Sequence, residues 1–169
     1  MADTVLVTYG TTNGSTNGST ARTAEAVADV LRKAGLTVDV LPARAVTGVA
    51  PYEAVVVGGA LYAGRWHKDA RRFVRRHRHV LAERPVWFFS SGPLDASASE
   101  RNIPPVRGVR RAMTRLEVRD HITFGGCLEE GAQGRMAGMI LRSGKGGDFR
   151  DFGAIETWTE RVADALTQG

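Results

Sequence analysis

Cysteine is nearly absent from this chain: Cys127 stands alone among 169 residues. A lone thiol cannot close an internal disulfide, so a reducing, cytoplasmic setting is expected, and Cys127 itself reads as a small core residue. Long apolar runs are missing too, and Met1-Ala2-Asp3 leads straight into a strand pattern. Neither a membrane span nor a signal peptide is therefore expected. His77 and His79 stand two apart on a helical stretch and face different ways, so no metal is assigned. Two familiar phosphate loops are also lacking. The stretch 138–145 imitates a P-loop with the wrong spacing, and Gly10, Gly14 and Gly18 are not spaced as G-x-G-x-x-G.

What the chain does hold is a strand, a loop and a helix in immediate succession. Val5-Leu6-Val7 reads as a buried strand. Tyr9 to Thr20 is a run of hydroxyls, glycines and amides with neither lysine nor acid. The helix after it starts at Ser19 or Thr20, either of which can cap it, and Gly35 closes it. Its apolar stripe is Ala24, Val27, Ala28, Leu31 and Ala34. Free N–H groups, the positive end of the helix dipole and neutral hydroxyls form an anion site that suits a phosphate without a metal. Within the loop, Thr12-Asn13-Gly14-Ser15 recurs at once as Thr16-Asn17-Gly18-Ser19, a local duplication too short to be a solenoid unit.

Strands and helices then alternate. Strands are expected at Thr37–Leu41, Ala54–Gly59, Pro85–Ser90 and Val118–Gly126, the last ending at Cys127-Leu128. Helices are expected at Lys68–Glu83 and Pro105–Leu116. A final helix, with Asp151 as N-cap, buries Ile155, Trp158, Val162 and Ala165. Glu129–Asp148 is expected to hold a short helix around Met136–Leu141 and the glycine-rich Ser143–Gly147. The fold class is α/β, a doubly wound parallel sheet in a single domain over residues 1–169.

Ligands of such sheets collect at the carboxyl ends of the strands. Four loops lie there: Thr11–Thr20, Ala60–His67, Ser90–Leu94 and Cys127–Glu130. The first offers phosphate donors. The second offers Tyr62 and Trp66 as covers for a planar ring, and the third has small residues that admit a ligand closely. Phosphate plus a flat heterocycle describes a mononucleotide, and flavin mononucleotide (FMN) fits without a metal.

The formal net charge of +5 implies anionic partners. One helix carries Lys68, Arg71, Arg72, Arg75, Arg76, Arg78 and Arg84. The next carries Arg107, Arg110, Arg111, Arg115 and Arg119. Such runs read either as solvated helix faces or as docking surfaces. Nucleic acid is disfavoured because aromatics do not interleave with the arginines. Peripheral contact with an anionic membrane, on its inner face, is the stronger expectation.

The loop ending Asn17-Gly18-Ser19-Thr20, the stretch Val55 to His67, Phe73 to His77, Ser90-Ser91 and Ser143 to Asp148 together resemble a flavodoxin-fold protein over essentially the whole chain. Within that superfamily the chain most resembles the FMN-dependent, menaquinone-linked protoporphyrinogen oxidases (dehydrogenases). The resemblance implies a flavodoxin-like five-stranded sheet of order 2-1-3-4-5 with helices on both faces. It implies that Thr11, Thr12, Asn17, Gly18, Ser19 and Thr20 hold the FMN phosphate. Ala60, Leu61, Tyr62, Gly64 and Arg65, with Ser90, Ser91, Gly92 and Pro93, would embrace the ring. A quinone or redox partner is implied, and Arg65, Arg101 and Arg107 are expected to meet carboxylates of an anionic substrate. No dedicated catalytic acid or base stands out. The alternatives are a flavodoxin-type electron carrier, or a protein whose lengthened loop has lost or changed flavin binding.

Overall fold

The computed structural model describes residues 3–10, 19–62, 65–92, 105–124, 127–128, 147–148 and 152–168. Strand β1 (Thr4–Gly10) leads to helix α1 (Ser19–Lys33), then β2 (Thr37–Pro42), a 3-10 turn (Ala43–Ala45) and β3 (Ala54–Tyr62). Next come β4 (Arg65–Trp66), α2 (Lys68–Arg76), the short α3 (Arg78–Leu81) and β5 (Val86–Ser91). Helix α4 (Arg107–Leu116), β6 (Asp120–Phe124), β7 (Cys127–Leu128), β8 (Gly147–Asp148) and α5 (Phe152–Gln168) complete the described chain.

The five long strands pair in parallel in the order β2-β1-β3-β5-β6. Counting only these strands in chain order gives the expected 2-1-3-4-5. Strands buried on both faces need helices on both faces, and two apolar cores supply the contact. On one side Val5, Val7, Val56 and Phe89 meet α1 and α5 through Ala24, Val27, Leu31, Ile155 and Trp158. On the other, Leu6, Val55, Val57 and Phe88 meet α2 and α4 through Phe73, Val74, Val109 and Leu116. Alternation along each strand divides its side chains between the two cores.

Helix α1 ends as its sequence predicts. Gly35 takes φ +95°, its N–H donates to the carbonyl of Arg32 at 3.0 Å, and Leu36 N–H reaches that of Leu31 at 3.2 Å. This is the Schellman closure that a left-handed glycine permits. Ala34 lies past the helix end and is exposed, while Ala21 joins the buried stripe in its place. In α5 the buried positions are Ile155, Trp158, Thr159, Val162, Ala163 and Leu166, and Ala165 faces solvent.

Three element boundaries differ from expectation. The stretch predicted as one helix, Lys68–Glu83, breaks at His77 (φ −105°, ψ 17°). Nothing apolar lies between Val74 and Val80, and cationic neighbours repel along a continuous helix. The break lets Leu81 drop into the core, fully buried. The second difference is at Ala60–His67. Ala60 to Tyr62 continue β3, and Arg65–Trp66 return antiparallel to Leu61 and Tyr62. The last predicted strand divides into β6 and β7, and β7 pairs with β8. The expected helix at 136–141 and the cap Asp151 lie outside the described residues.

Strand β3 is thin where it matters. A Cβ added to Gly58 would sit 2.0 Å from the Phe89 ring on one face, and one added to Gly59 would sit 2.8 Å from the Trp66 ring on the other. Adjacent glycines on opposite sides of the pleat thus admit one aromatic ring each. We expect Gly58→Ala to destabilise the fold by about 1–3 kcal/mol, and Gly59→Ala to do so less severely. Gly48→Ala, where a Cβ meets nothing within 4 Å, should leave stability near that of the native chain. Denaturant midpoints of the three variants test this ranking.

Candidate functional site

The carboxyl ends of four strands lie side by side: Gly10 pairs with Gly59, Ala60 with Ser91, and Ser91 with Phe124. Helix α1 begins just beyond the end of β1 with no acidic residue in its first turn. The positive end of its dipole therefore faces this edge unopposed by a carboxylate of that turn. Gly10 allows the base of the site to be close-packed, since a Cβ there would lie 2.5 Å from the backbone nitrogen of Ala70 in α2. Gly92 turns the chain at the end of β5 with φ +141°. Its N–H donates to the carbonyl of Phe124 at 2.9 Å, tying β5 to β6 at the edge.

The predicted cofactor-site residues within the described chain gather at this edge, whereas Arg107, expected to meet a substrate carboxylate, opens helix α4. Ser19 and Thr20 open α1, with Thr20 buried. Ala60 is buried and Leu61 half-buried at the end of β3, where Tyr62 also lies. Arg65 is exposed in β4, and Ser91, the last residue of β5, and Gly92 just past it are buried. Thr11, Thr12, Asn17, Gly18, Gly64, Pro93 and Arg101 lie outside the described residues.

Two side chains have different roles from those expected. Trp66 does not stand ready to cover a ring. It is 3% exposed, packs against Phe88 with centroids 4.8 Å apart, and donates its indole N–H to Ser90 Oγ at 2.9 Å. Ser90, 1% exposed, is committed in turn: its Oγ lies 2.8 Å from His121 Nε2. Its hydroxyl belongs to the interior, and only its backbone is left for a ligand.

The chain Trp66–Ser90–His121 ties β4, β5 and β6 together beneath the edge. Ser90 accepts from Trp66 and has one proton to give, so donation to Nε2 uses each group and places the imidazole proton on Nδ1. Burial pushes His121 down to about 4, against the opposing pull of Asp120, so the ring is neutral near pH 7. Its Nδ1 and the Oγ1 of Thr8 are buried without a hydrogen-bond partner among the described residues. His67 is also lowered, chiefly by burial and against Asp69. Its Nδ1 caps α2 by accepting from Asp69 N–H at 3.2 Å, which only the unprotonated nitrogen can do. This network went unread in the sequence, although a signal was present. Alternation puts Ser90 on the same face as Val86 and Phe88, a polar residue at an inward position.

A family model described as flavodoxin domain matches residues 6–134. The chain belongs to the flavodoxin domain family. No curated protein matches it in sequence. Among solved structures, this flavodoxin domain is similar to a mutant flavodoxin from Pseudomonas aeruginosa, with 18% identity and a TM-score of 0.62 over 98% of this chain and 99% of that one. It is similar to an NADH:FMN oxidoreductase in its apo form, with 13% identity and a TM-score of 0.63 over 99% of this chain and 91% of that one. It also resembles a rubredoxin oxygen:oxidoreductase from the anaerobe Desulfovibrio gigas, with 13% identity and a TM-score of 0.63. There it covers 98% of this chain but spans only 36% of the other. At such identities the likeness is one of fold. Among the described residues no helix is long and apolar enough to cross a membrane, and no cluster of metal ligands occurs.

The neutral, buried His121 makes stability depend on pH. Unfolded, the imidazole protonates near its ordinary 6.5; folded, it does so only near about 4. Its contribution is complete above about pH 6.5 and is lost as pH falls toward 4, where the unfolded state alone takes the proton. Over that window the native chain should lose up to about 3 kcal/mol that His121→Asn does not lose. Urea midpoints of the two proteins between pH 7 and 4 measure the difference, and parallel curves would refute the assignment.

Proposed function

We propose that the protein binds FMN at the carboxyl edge of its sheet and acts as an electron-transferring flavoprotein. The observation that carries this reading is the acid-free N-terminus of α1, standing beyond β1 after the hydroxyl-rich loop 11–18 and beside the ends of β3 and β5. Membership of the flavodoxin domain family supports it. Ser19 and Thr20, with Thr11, Thr12, Asn17 and Gly18 from the loop, would hold the phosphate through neutral donors. Ala60, Leu61, Tyr62, Gly64 and Arg65 would flank the ring on one side. Ser91, Gly92, Pro93 and the backbone of Ser90 would flank it on the other. When bound, FMN supplies one- and two-electron redox chemistry, and the protein holds it and tunes its potential. Trp66 serves this site indirectly, by fixing β4 against the end of β3.

A narrower reading, dehydrogenation of protoporphyrinogen with a quinone as acceptor, rests on the resemblance of 55–67 and on the basic surface. A flavodoxin-type electron carrier is the other, although such carriers are generally acidic and this chain has a pI near 10.0. Stopped-flow reoxidation of the reduced protein by a quinone separates the two.

FMN titration followed by flavin fluorescence tests the reading common to both, and saturable quenching at micromolar FMN or tighter is expected. Deleting Thr16-Asn17-Gly18-Ser19 halves the loop between β1 and α1 and leaves one copy of the repeat. Loop-closure entropy alone changes affinity by about 0.6 kcal/mol on halving, roughly threefold. A change within that range means that either copy can hold the phosphate. No saturation by the native chain would defeat the proposal.

A further inference from the structure

The two faces of the sheet are covered unequally. Helices α1 and α5 pack directly on each other. On the opposite face, α2 and α4 border a groove of about 940 Å³. Its floor is apolar, formed by half-buried Ala112 and by the outermost atoms of the buried Val74, Val109 and Leu116, and Arg65 and Trp66 line it where β4 returns along the end of β3.

The walls of the groove are arginine. Arg71 and Arg75 of α2 and Arg78 of α3 form one wall; Arg107, Arg111 and Arg115 form the other. The second set is spaced i, i+4, i+8 and therefore runs along one side of α4. All six are exposed. Among the described residues no acidic residue lines the groove, and none of the six arginines pairs with a carboxylate. Arg71 is held by its Nε bond to the carbonyl of Trp66 at 3.0 Å. Like charges facing each other across a concavity concentrate positive potential there.

Gly108 gives a second, independent observation. It lies in the first turn of α4 and lines the groove, yet a Cβ at that position would meet nothing within 4 Å. No packing inside the described chain requires glycine there. A long side chain at this position would extend into the open space of the groove.

We propose that this groove docks an acidic amphipathic helix of a partner protein. The apolar stripe of that helix would lie on the floor, and Glu or Asp on its flanks would meet the two walls, the helix-in-groove mode of recognition. Helix α4 spans 10 residues, about 15 Å, so the walls match two to three turns of a guest helix and exceed what a small dianion can contact. A flat bilayer surface does not reach a concave apolar floor. Single-stranded nucleic acid wants exposed aromatic faces, and Trp66, the one tryptophan, tyrosine or phenylalanine among the described residues lining the groove, is 3% exposed. The docking does not depend on FMN, so the two proposals stand or fall separately.

The test uses the full chain and a labelled 14-residue synthetic peptide with leucine on one helical stripe and glutamate on both flanks, followed by fluorescence anisotropy. Saturable binding in the micromolar range is expected, weakening severalfold between 50 and 300 mM salt. It should weaken at least tenfold in Arg75→Glu/Arg111→Glu. It should also weaken at least tenfold in Gly108→Leu, which keeps every charge but fills the groove. These substitutions lie at exposed positions, and unchanged thermal midpoints and FMN titrations would establish that the fold is intact. A peptide of identical composition with its leucines scattered should bind at least tenfold more weakly to the native chain. Equal binding of the scattered peptide would reduce the effect to charge attraction and overturn the proposal. So would undiminished binding by Gly108→Leu. Absence of peptide binding, with phosphatidylglycerol vesicles, a single-stranded oligonucleotide or citrate bound instead and lost in the arginine variant, would overturn it in favour of that ligand.

Discussion

Two adjacent glycines in the central strand are the constraint that the site is built around. Gly58 and Gly59 leave no side chain on either face of β3, and the Phe89 and Trp66 rings occupy the space on opposite sides. Packing of this kind tolerates little adjustment, because both neighbours are rigid rings and the strand is hydrogen-bonded along both edges. Its consequence reaches the carboxyl edge. With Trp66 lying against Gly59, its indole N–H reaches Ser90, and Ser90 reaches His121. Three strands are tied together through one buried hydroxyl. The ends of β3 and β5, where a ligand of this fold would lie, are therefore held from below.

A buried polar chain of this kind is stable only while its members stay neutral and paired. His121 meets the first condition through burial, which keeps its ring neutral at ordinary pH. It meets the second on Nε2 only. Nδ1 and the nearby face of the sheet thus carry a desolvation cost that the surrounding packing of Phe88, Val109 and Leu116 must offset. The opposite face has no such polar chain among its described residues, being closed by α1 and α5 through alanine, valine, leucine and tryptophan. Charge follows the same division. The arginines of α2 and α4 stand on the face with the open groove, and the acids of α1, Glu25 and Asp29, engage Arg32 within that helix.

Residue patterns made the sheet legible because it is periodic and apolar. Val5-Leu6-Val7 and Ala54 to Val57 announce strands buried on both faces, Gly35 announces a helix end, and the alternation of strands and helices leaves few topologies. Legibility failed where tertiary contacts override local pattern. Nothing local distinguishes Trp66 as a buried anchor from Trp66 as an exposed ring cover, because its partner Ser90 lies 24 residues further on, and His121, the partner of Ser90, another 31 beyond that. The break at His77 carries neither glycine nor proline. It follows from the absence of apolar anchors between Val74 and Val80 and from the need to bury Leu81. Ala34 fits its helical stripe in sequence but lies past the helix end, and in α5 the buried stripe runs through Ala163 and Leu166, which turns Ala165 to solvent. Of the site itself, the strand ends and the start of α1 were readable, and the polar chain that supports them was not.

Strand β4 links the two surfaces to which function is assigned. Arg65 and Trp66 pair with Leu61 and Tyr62 at the end of β3, and the same two residues line the groove between α2 and α4. On the proposed readings, a flavin ring flanked by residues 60–65 and a partner helix seated in the groove would share this hairpin as a common wall. No conformational relay is needed for them to cooperate, because proximity alone serves electron transfer. The requirement is rigidity, so that a partner docked against the hairpin finds the ring at a fixed distance. The Trp66 hydrogen bond to Ser90, the Arg71 bond to the Trp66 carbonyl and the close contact with Gly59 supply that rigidity from three directions.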